Sequence, residues 1–525
     1  MHYDVVIAGG GFAGAYCAKT LGKLLGKNAA KRVALIAESN VMVFQPMLAE
    51  VAGSSLTPLD VVNPLRQLCR HVDVLQGNIQ RIDWARKTLS VDGGRFTRNH
   101  EIGFGQLVLT LGSVTDLSRV PGMAEYGWPM KSVADALRLR VAVINRLEEA
   151  NLVSDPAVRA RLLTIVVAGG GYTGVETAGQ LLDFMSGSKR YYANLGDTPV
   201  RVVLVHGHDR LLAEIGAELG DHARRVLEKR GMEMRLNTRV AEITADRVIF
   251  ADGGCIEAHT IVTTIGNAPN PVVLDLCRQL GLATDRGRVR TESTLRVEGH
   301  PELWSAGDCA SVPWNDRGEL KASPPTAQFA QRQGIQLARN LAAVMQGREP
   351  RPFRYRYMGQ LAAIGQRDAV AEVFGFRFSG FFAWWMWRTI YLAKLPGVLR
   401  RLRVMIDWTF ELIFPRDLSV VLPPPEDVLR AIHLVKDELL FERGAPCRAF
   451  FYLRSGGVLL TAPDGETRLL PKGSVLDQGL LDGNDCWRWT AVAAESADLT
   501  AIRGRAFKLL KNELQLTRRP VAEAR

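Results

Sequence analysis

Cysteine is scarce in this 525-residue chain, and its placement suits neither of its usual structural roles. The seven cysteines (positions 17, 69, 255, 277, 309, 447 and 486) are scattered, odd in number and never spaced as Cys-x-x-Cys. That argues against a disulfide scaffold and a zinc site and fits a reducing compartment, so no metal is expected. Long apolar runs are missing too: nothing approaches the roughly eighteen uncharged residues that a membrane-spanning helix needs. The first apolar run begins by Tyr3, with no basic leader before it, so neither secretion nor organelle import is expected. Acids are outnumbered, 55 Asp and Glu against 66 Lys and Arg, and the net charge of +11 points to an anionic partner. That partner is a nucleotide, a nucleic acid or an acidic membrane surface. Length and an ordinary 47% of hydrophobic residues fit a folded protein of about three domains.

What is present, twice, is an apolar run followed at once by Gly-x-Gly-x-x-Gly. The first copy is VVIAGGGFAG, with Gly9, Gly11 and Gly14; the second is IVVAGGGYTG, with Gly169, Gly171 and Gly174. The first glycine of such a motif makes the strand-to-helix turn, and the second lets backbone approach a pyrophosphate. The third lets the helix pack closely on the strand, with its positive N-terminal end facing the phosphates. One motif is weak evidence, because many glycine-rich turns are only turns. Two in strand–turn–helix context indicate two dinucleotide sites.

Between and after the motifs the chain reads as α/β. The strand Arg32–Ala37 ends at Glu38, where a dinucleotide's ribose hydroxyls need a carboxylate acceptor. Leu107–Leu111 ends at Gly112, and a helical pattern runs from Ser132 to Ala150. In the second module a helix from Val175 carries Glu176, and the strand Arg201–Val205 ends at His206. Leu303–Ala310 ends a further strand at Gly307–Asp308, an aspartate placed to accept from ribityl or ribose hydroxyls.

With both glycine motifs, Phe44–Leu48 with Glu50–Gly53, Leu111–Ser113, Pro121–Gly122 with Lys131–Ser132, Ala306–Asp308 and Pro324–Gln328, the chain resembles a type II, non-proton-pumping NADH:quinone oxidoreductase. The resemblance runs from about residue 3 to about 420. It implies two Rossmann-like dinucleotide-binding domains, one for FAD (1–150 with 285–376) and one for NAD(P)H (151–284) inserted within it. It implies FAD at Gly9, Gly11, Gly14, Glu38, Gly112 and Asp308, and NADH at Gly169, Gly171, Gly174 and Glu176. Hydride passes from NADH to the flavin, and two electrons pass on to a membrane quinone, with Glu176, Gln328 and Arg332 on the flavin and quinone side. Glutathione-reductase-like flavoenzymes carry a redox cysteine pair near residues 40–58; none is present, which excludes a dithiol relay. A sulfide:quinone oxidoreductase is disfavoured on the same ground, since only Cys309 is placed near the flavin.

Two departures from the family pattern matter. His206 stands where a carboxylate usually holds the NADH 2′-hydroxyl. Either discrimination against NADPH is relaxed or the nucleotide site is weak, with Arg210 close in sequence, or Asp209 takes over the contact; these remain open. Four residues after Gln328 stands Arg332 instead of a second Gln, so the helical face is Gln plus Arg, with Gln331 as the alternative.

Residues 377–422 read as amphipathic membrane-docking helices. Five large aromatics fall within seven residues (381–387), and every charge from Arg377 through Arg403 is Arg or Lys. A stripe Phe381, Trp384, Trp385, Arg388, Leu392, with a cation able to snorkel, precedes Pro396–Gly397. A second stripe, Leu399, Leu402, Ile406, Phe410 and Ile413, follows it. Such helices suit the headgroup layer of an anionic leaflet, here the cytoplasmic face of a bacterial inner membrane. After a stiff Pro423–Pro425 linker, residues 423–525 resemble a cyclic-nucleotide-binding β-roll with a helical tail at 506–514. Its phosphate cassette is eroded: Asp477–Gln478 replaces Gly-Glu, and Trp487 and Trp489 flank Arg488. The reading is against cyclic-nucleotide binding and for a structural, docking or autoregulatory role.

The expected protein is thus a membrane-peripheral FAD enzyme that oxidises NADH (NADPH left open) and reduces quinone. Competing readings are a flavin reductase with a non-quinone acceptor and a redox-sensing flavoprotein signalling through its C-terminal module. A homodimer is left open; nucleic acid is disfavoured, because the positive charge clusters with tryptophans and no recognition motif occurs.

Overall fold

The computed structural model describes residues 1–94, 97, 99–213, 215–316, 318–365, 367–420, 429–445, 447, 449–476, 486–503 and 507. The chain divides into two compact units, Met1–Val420 and Val421–Arg525.

The first unit contains two parallel sheets, as two Rossmann-like modules require. In the first sheet the order is His300–Ser305, His100–Leu109, His2–Ala8, Val33–Ala37, Asp73–Gln76, all parallel to their neighbours. Val5, Val6, Ile7 and Ala8 are fully buried, as strands covered by helices on both faces must be. In the second sheet Thr164–Ala168 lies between Thr260–Thr263 and Arg201–Val205. Each motif strand is central, and the chain leaves it in opposite directions, the switch point where such sheets bind ligands. Both strands turn into helices, Phe12–Leu25 and Tyr172–Ser188. A Cβ on Gly14 would lie 1.8 Å from the Gly9 carbonyl oxygen, and one on Gly174 would lie 1.8 Å from that of Gly169. No side chain fits there, so only glycine lets the helices start this close to their strands.

The two modules are tied together by the segments that leave their sheets. Ser113–Thr115 pairs antiparallel with Asn267–Pro269. The helix Val133–Leu152 starts at a capping box in which Ser132 and Asp135 exchange hydrogen bonds.

Beyond the helix Ala327–Val344 comes an antiparallel meander, 359–365, 368–373 and 376–379, and then the aromatic stretch. The stretch forms two helices, Gly380–Lys394 and Val398–Phe410. No helix among the described residues is long and apolar enough to cross a membrane. Trp387 and Trp408 are buried, whereas Phe381 is 64% exposed, Leu399 61% and Ile413 75%. Arg388 does not snorkel. It is only 13% exposed, paired with Glu411 at 2.6 Å, and lies against the rings of Trp384 and Trp408. Arg416 holds the other oxygen of Glu411 at 2.9 Å. The expectation failed because periodicity defines a helix face but not its neighbour. The turn at Pro396–Gly397 returns the chain so that an acid twenty-three positions later meets the arginine.

Among its described residues the second unit is β-rich: two four-stranded antiparallel sheets, with a core in which Phe441 and Trp487 stack at 3.7 Å. Trp487 therefore belongs to that core and does not crowd Arg488, which is exposed. Pro423–Pro425, Asp477–Gln478 and all of the expected tail except Phe507 lie outside the described residues.

Replacing Arg388 with Met is expected to strip a mostly buried carboxylate of one partner, at a cost of about 3 kcal/mol. Arg388→Lys should restore little, because a point charge reproduces neither the fork nor the ring stacking. Thermal melting of the full chain checks this, and an unchanged midpoint would mean that the pair contributes nothing.

Candidate functional site

One cavity of about 490 Å³ in the first unit is lined by the second glycine turn and by the residue that follows the first. Phe12, the first residue of its helix, lines it, and so do Gly171–Gly174. Neither helix has a side-chain cap at its N-terminus. A Cβ at Gly11 or Gly171 would meet nothing within 4 Å, so open space lies where a pyrophosphate would approach backbone. Those turns fit dinucleotides.

The two turns are built alike. Gly9 N–H donates to the Ile36 carbonyl and Gly169 N–H to that of Val205, each at 2.8 Å. Thr110 Oγ1 donates to the Ala8 carbonyl at 2.9 Å, and Thr264 Oγ1 donates to that of Ala168 at 3.0 Å. Glu38 and His206 occupy matching places, each just beyond the strand beside the motif strand. There the likeness ends. Glu38 is exposed, whereas Nδ1 of His206 accepts a hydrogen bond from Gly170 N–H at 3.1 Å. That bond leaves the ring proton on Nε2. Asp209 is exposed, and Arg210 donates to the Ala213 carbonyl at 3.3 Å.

On the first-module side Asp308 lines the cavity, and burial pushes its carboxyl up against the counter-pull of Lys131, Arg288 and a hydrogen bond to Ser113. Lys131 Nζ donates to Ser113 Oγ at 2.9 Å and reaches Asn267 Oδ1 at 3.4 Å. Gly307 N–H donates to Gln333, itself bonded to Ser323, which fixes the Asp308 turn. Gly112 adopts a left-handed φ of +66° where the chain leaves its strand.

At the far end Gln328 and Gln331 line the cavity, but Arg332 does not. Gln328 accepts from the Tyr355 hydroxyl and donates to the Gly359 carbonyl. Arg332 folds back to its own helix at the Gln328 carbonyl and lies 4.3 Å from the centre of the Tyr355 ring. The expected Gln–Arg face is therefore a Gln–Gln face, because Tyr355 captures the guanidinium. Lys394, which the sequence placed in the lipid-facing fringe, lines the cavity instead. Burial, with Arg332 nearby, brings its amine down to about 8. Only its position at the end of an aromatic helix could have hinted at this. Cys309 is buried with its thiol raised by desolvation, donating to the Leu109 carbonyl, and so is not poised as a nucleophile.

A family model described as pyridine nucleotide-disulphide oxidoreductase matches residues 3–334. One for the NDH2 C-terminal domain matches 357–417, and one for the cyclic nucleotide-binding domain matches 431–513. The type II NADH:quinone oxidoreductase Ndh of Mycobacterium tuberculosis is 31% identical over 426 residues, 79% of this chain and 89% of the relative. The chain belongs to the type II NADH:quinone oxidoreductases. Demethylphylloquinone reductase NdbB of Synechocystis is 29% identical across 77% of this chain and 95% of its own length. Among solved structures, NDH2 from Plasmodium falciparum in complex with NADH superposes with a TM-score of 0.72 at 17% identity, over 79% of this chain and 99% of that one. A sulfide:quinone oxidoreductase from Aquifex aeolicus shares the fold at a TM-score of 0.57 and 15% identity.

In this type II NADH:quinone oxidoreductase, two buried glutamates stand between the cavity wall and the helix Val398–Phe410, while Tyr391 and Lys394 of the helix before it reach the cavity directly. Glu176 lines the cavity and accepts from Ala363 N–H at 3.1 Å. Glu50 lies behind it and accepts from Trp408 Nε1 at 3.3 Å. Burial above all, then for Glu176 the charge of Glu50, pushes both carboxyls up to about 8 from an ordinary 4.5. Arg388 and Arg416 pull Glu50 back without overcoming its desolvation.

The sign of the stability consequence follows. Between about pH 4.5 and about 8 the folded chain keeps protons that the unfolded chain has released, so stability falls as pH rises through that window. Glu50→Gln keeps an acceptor for Trp408 and removes one of the two contributions. Its thermal midpoint should fall less between about pH 5 and about pH 8 than that of the parent; parallel curves would show that Glu50 does not hold its proton.

Proposed function

We propose that NADH binds at the second glycine turn, FAD at the first, and quinone at the end of their shared cavity marked by Gln328 and Gln331. The observation that carries this is that single cavity, lined at the starts of both uncapped motif helices. The chemistry that FAD would supply when bound is hydride acceptance from NADH and two-electron transfer to a quinone. The chain's own residues position, exclude water and manage protons. Residues 1–150 with 285–376 form the FAD domain and 151–284 the NAD(P)H domain. Gly9, Gly11 and Gly14 receive the FAD pyrophosphate, Glu38 its ribose, and Gly112 and Asp308 the ribityl side. Gly169, Gly171 and Gly174 receive the NADH pyrophosphate. Glu176, protonated at neutral pH, offers its proton at a carboxyl oxygen on the cavity wall, and Lys394 supplies the facing cation.

His206 places a neutral ring where a carboxylate would repel a 2′-phosphate, so NADPH is accepted beside NADH. The exposed faces of the helices 380–394 and 398–410 lie in the headgroup layer of an anionic leaflet, at the cytoplasmic face of a bacterial inner membrane. Arg400, Arg401 and Arg403 flank that face, which favours lipid over a second copy of the chain. No cyclic nucleotide is assigned to the second unit.

Purified protein should carry a flavin absorbance that anaerobic NADH bleaches and a short-chain quinone restores. A colourless chain that does not take up FAD would overturn the whole assignment. NADPH should support turnover with a kcat/KM within about tenfold of NADH, and His206→Glu should widen that gap by a further ten- to hundredfold. A parent enzyme already selective for NADH by about a thousandfold would defeat the role given to His206.

A further inference from the structure

A second cavity, of about 450 Å³, opens in the first unit beside the end of the Tyr172–Ser188 helix, the turn after Gly365 and the segment following Phe410. Its wall carries Arg190, Arg367, Arg388 and Arg416 against only Asp183 and Glu411. Both acids are engaged. Arg230, from outside the cleft, binds Asp183, and Glu411 is shared by Arg388 and Arg416. With Asp183 taken by Arg230 and Glu411 shared by two guanidiniums, the cleft carries an excess of positive charge.

Arg190 and Arg367 contribute to that excess. Among the described residues Arg367 donates to the Leu412 carbonyl, at 3.4 Å, and Arg190 lies 5.0 Å from the centre of the Tyr191 ring. Neither pairs with an acid among the described residues. Deeper in the wall the Nε of Arg388 is buried and has no hydrogen-bond partner. The remaining edge is apolar: Leu412 is 46% and Phe414 56% exposed, and Phe414 stacks on Phe410 at 5.5 Å. That edge continues the exposed face of the helix Val398–Phe410.

A cationic hollow with planar donor forks fits a phosphate, and an apolar lip beside it fits acyl chain. We propose that this cleft binds the phosphodiester headgroup of an anionic membrane phospholipid, held by Arg190 and Arg367 while the acyl chains lie along Leu412 and Phe414. The proposal deepens the membrane-docking reading: the helices supply area, and the cleft supplies a stoichiometric headgroup contact that orients the chain on the leaflet.

Calorimetric titration of the full chain with short-chain phosphatidylglycerol, kept monomeric in solution, tests it. Saturable one-to-one binding is expected, at least about tenfold weaker when Arg190→Ala and Arg367→Ala are combined. NADH oxidation with a soluble quinone should be the same in both proteins, showing that the variant is folded. Absence of saturable binding, or equal affinity in the variant, overturns the site; inorganic phosphate binding as tightly as the lipid overturns the lipid assignment. Sedimentation of the parent chain with phosphatidylglycerol vesicles tests docking separately. A chain that ignores vesicles yet binds the monomeric lipid refutes docking and keeps the cleft, and the reverse outcome keeps docking and refutes the cleft.

Discussion

The close approach of each motif helix to its own strand is the constraint on which the rest depends. At 1.8 Å from a carbonyl oxygen there is no room for a Cβ at Gly14 or Gly174, so the helix N-terminus is set hard against the end of the strand. That aims the uncommitted first amides along the sheet edge, where an anion is stabilised by backbone and helix dipole together. One such turn makes a nucleotide site. Two become an electron-transfer device only if something fixes their separation. Here the ribbon between 113–115 and 267–269 does so, with Lys131 bonding to Ser113 and Asn267 beside it. The crossing that brings the chain out of one module is hydrogen-bonded to the crossing that brings it out of the other.

A second chain of contacts links the cavity to the aromatic helices. Glu176 faces the cavity, Glu50 lies behind it, and Trp408 of the second helix donates to Glu50. Arg388 of the first helix bonds to the Trp408 carbonyl and to Glu411. The helices assigned to the lipid surface are thus fastened to the core through the same buried polar groups that stand behind the site. Such a network is costly to leave incomplete, because each unpaired charge in a low-dielectric interior carries its full desolvation. The outer faces of these helices are free to be apolar because their inner faces are held by polar contacts.

The glycine turns, the strand ends at Glu38, His206 and Asp308, and the capping box at Ser132 could be read in the sequence because each is local. Strand, turn and helix follow one another within a dozen residues. Lys394, Arg332, Arg388 and Glu50 could not be placed correctly, for a common reason. Periodicity says which residues share a face, whereas the role of a charge depends on what that face meets. Arg332 was drawn off by Tyr355 and Arg388 by Glu411, and Lys394 turned toward the cavity. Glu50, one acid in an apolar stretch, gave no sign of being buried before Trp408 arrived from a distant helix. Aromatic and cationic residues mixed on one helix read as a membrane fringe, although half of that mixture is interior.

The two modules also show what duplication has left unequal. Thr110 and Thr264 repeat the same bond, and Gly9 and Gly169 repeat the same turn. The place after the neighbouring strand differs: an exposed carboxylate at Glu38, and at His206 a ring already bonded to the turn amide of Gly170. On the assignment made above, the first holds a cofactor that stays and the second a substrate that leaves each cycle. A free carboxylate gives a ribose two strong acceptors and favours retention. On the same assignment, an imidazole whose Nδ1 already accepts from the turn amide would hold a ribose more weakly than a carboxylate and discriminate less against a 2′-phosphate. Binding a substrate no more tightly than turnover requires is what a site for an exchanging nucleotide should do. On that assignment the histidine is better understood as a loosening of the second site than as its loss, since the glycine turn beside it repeats the geometry of the first.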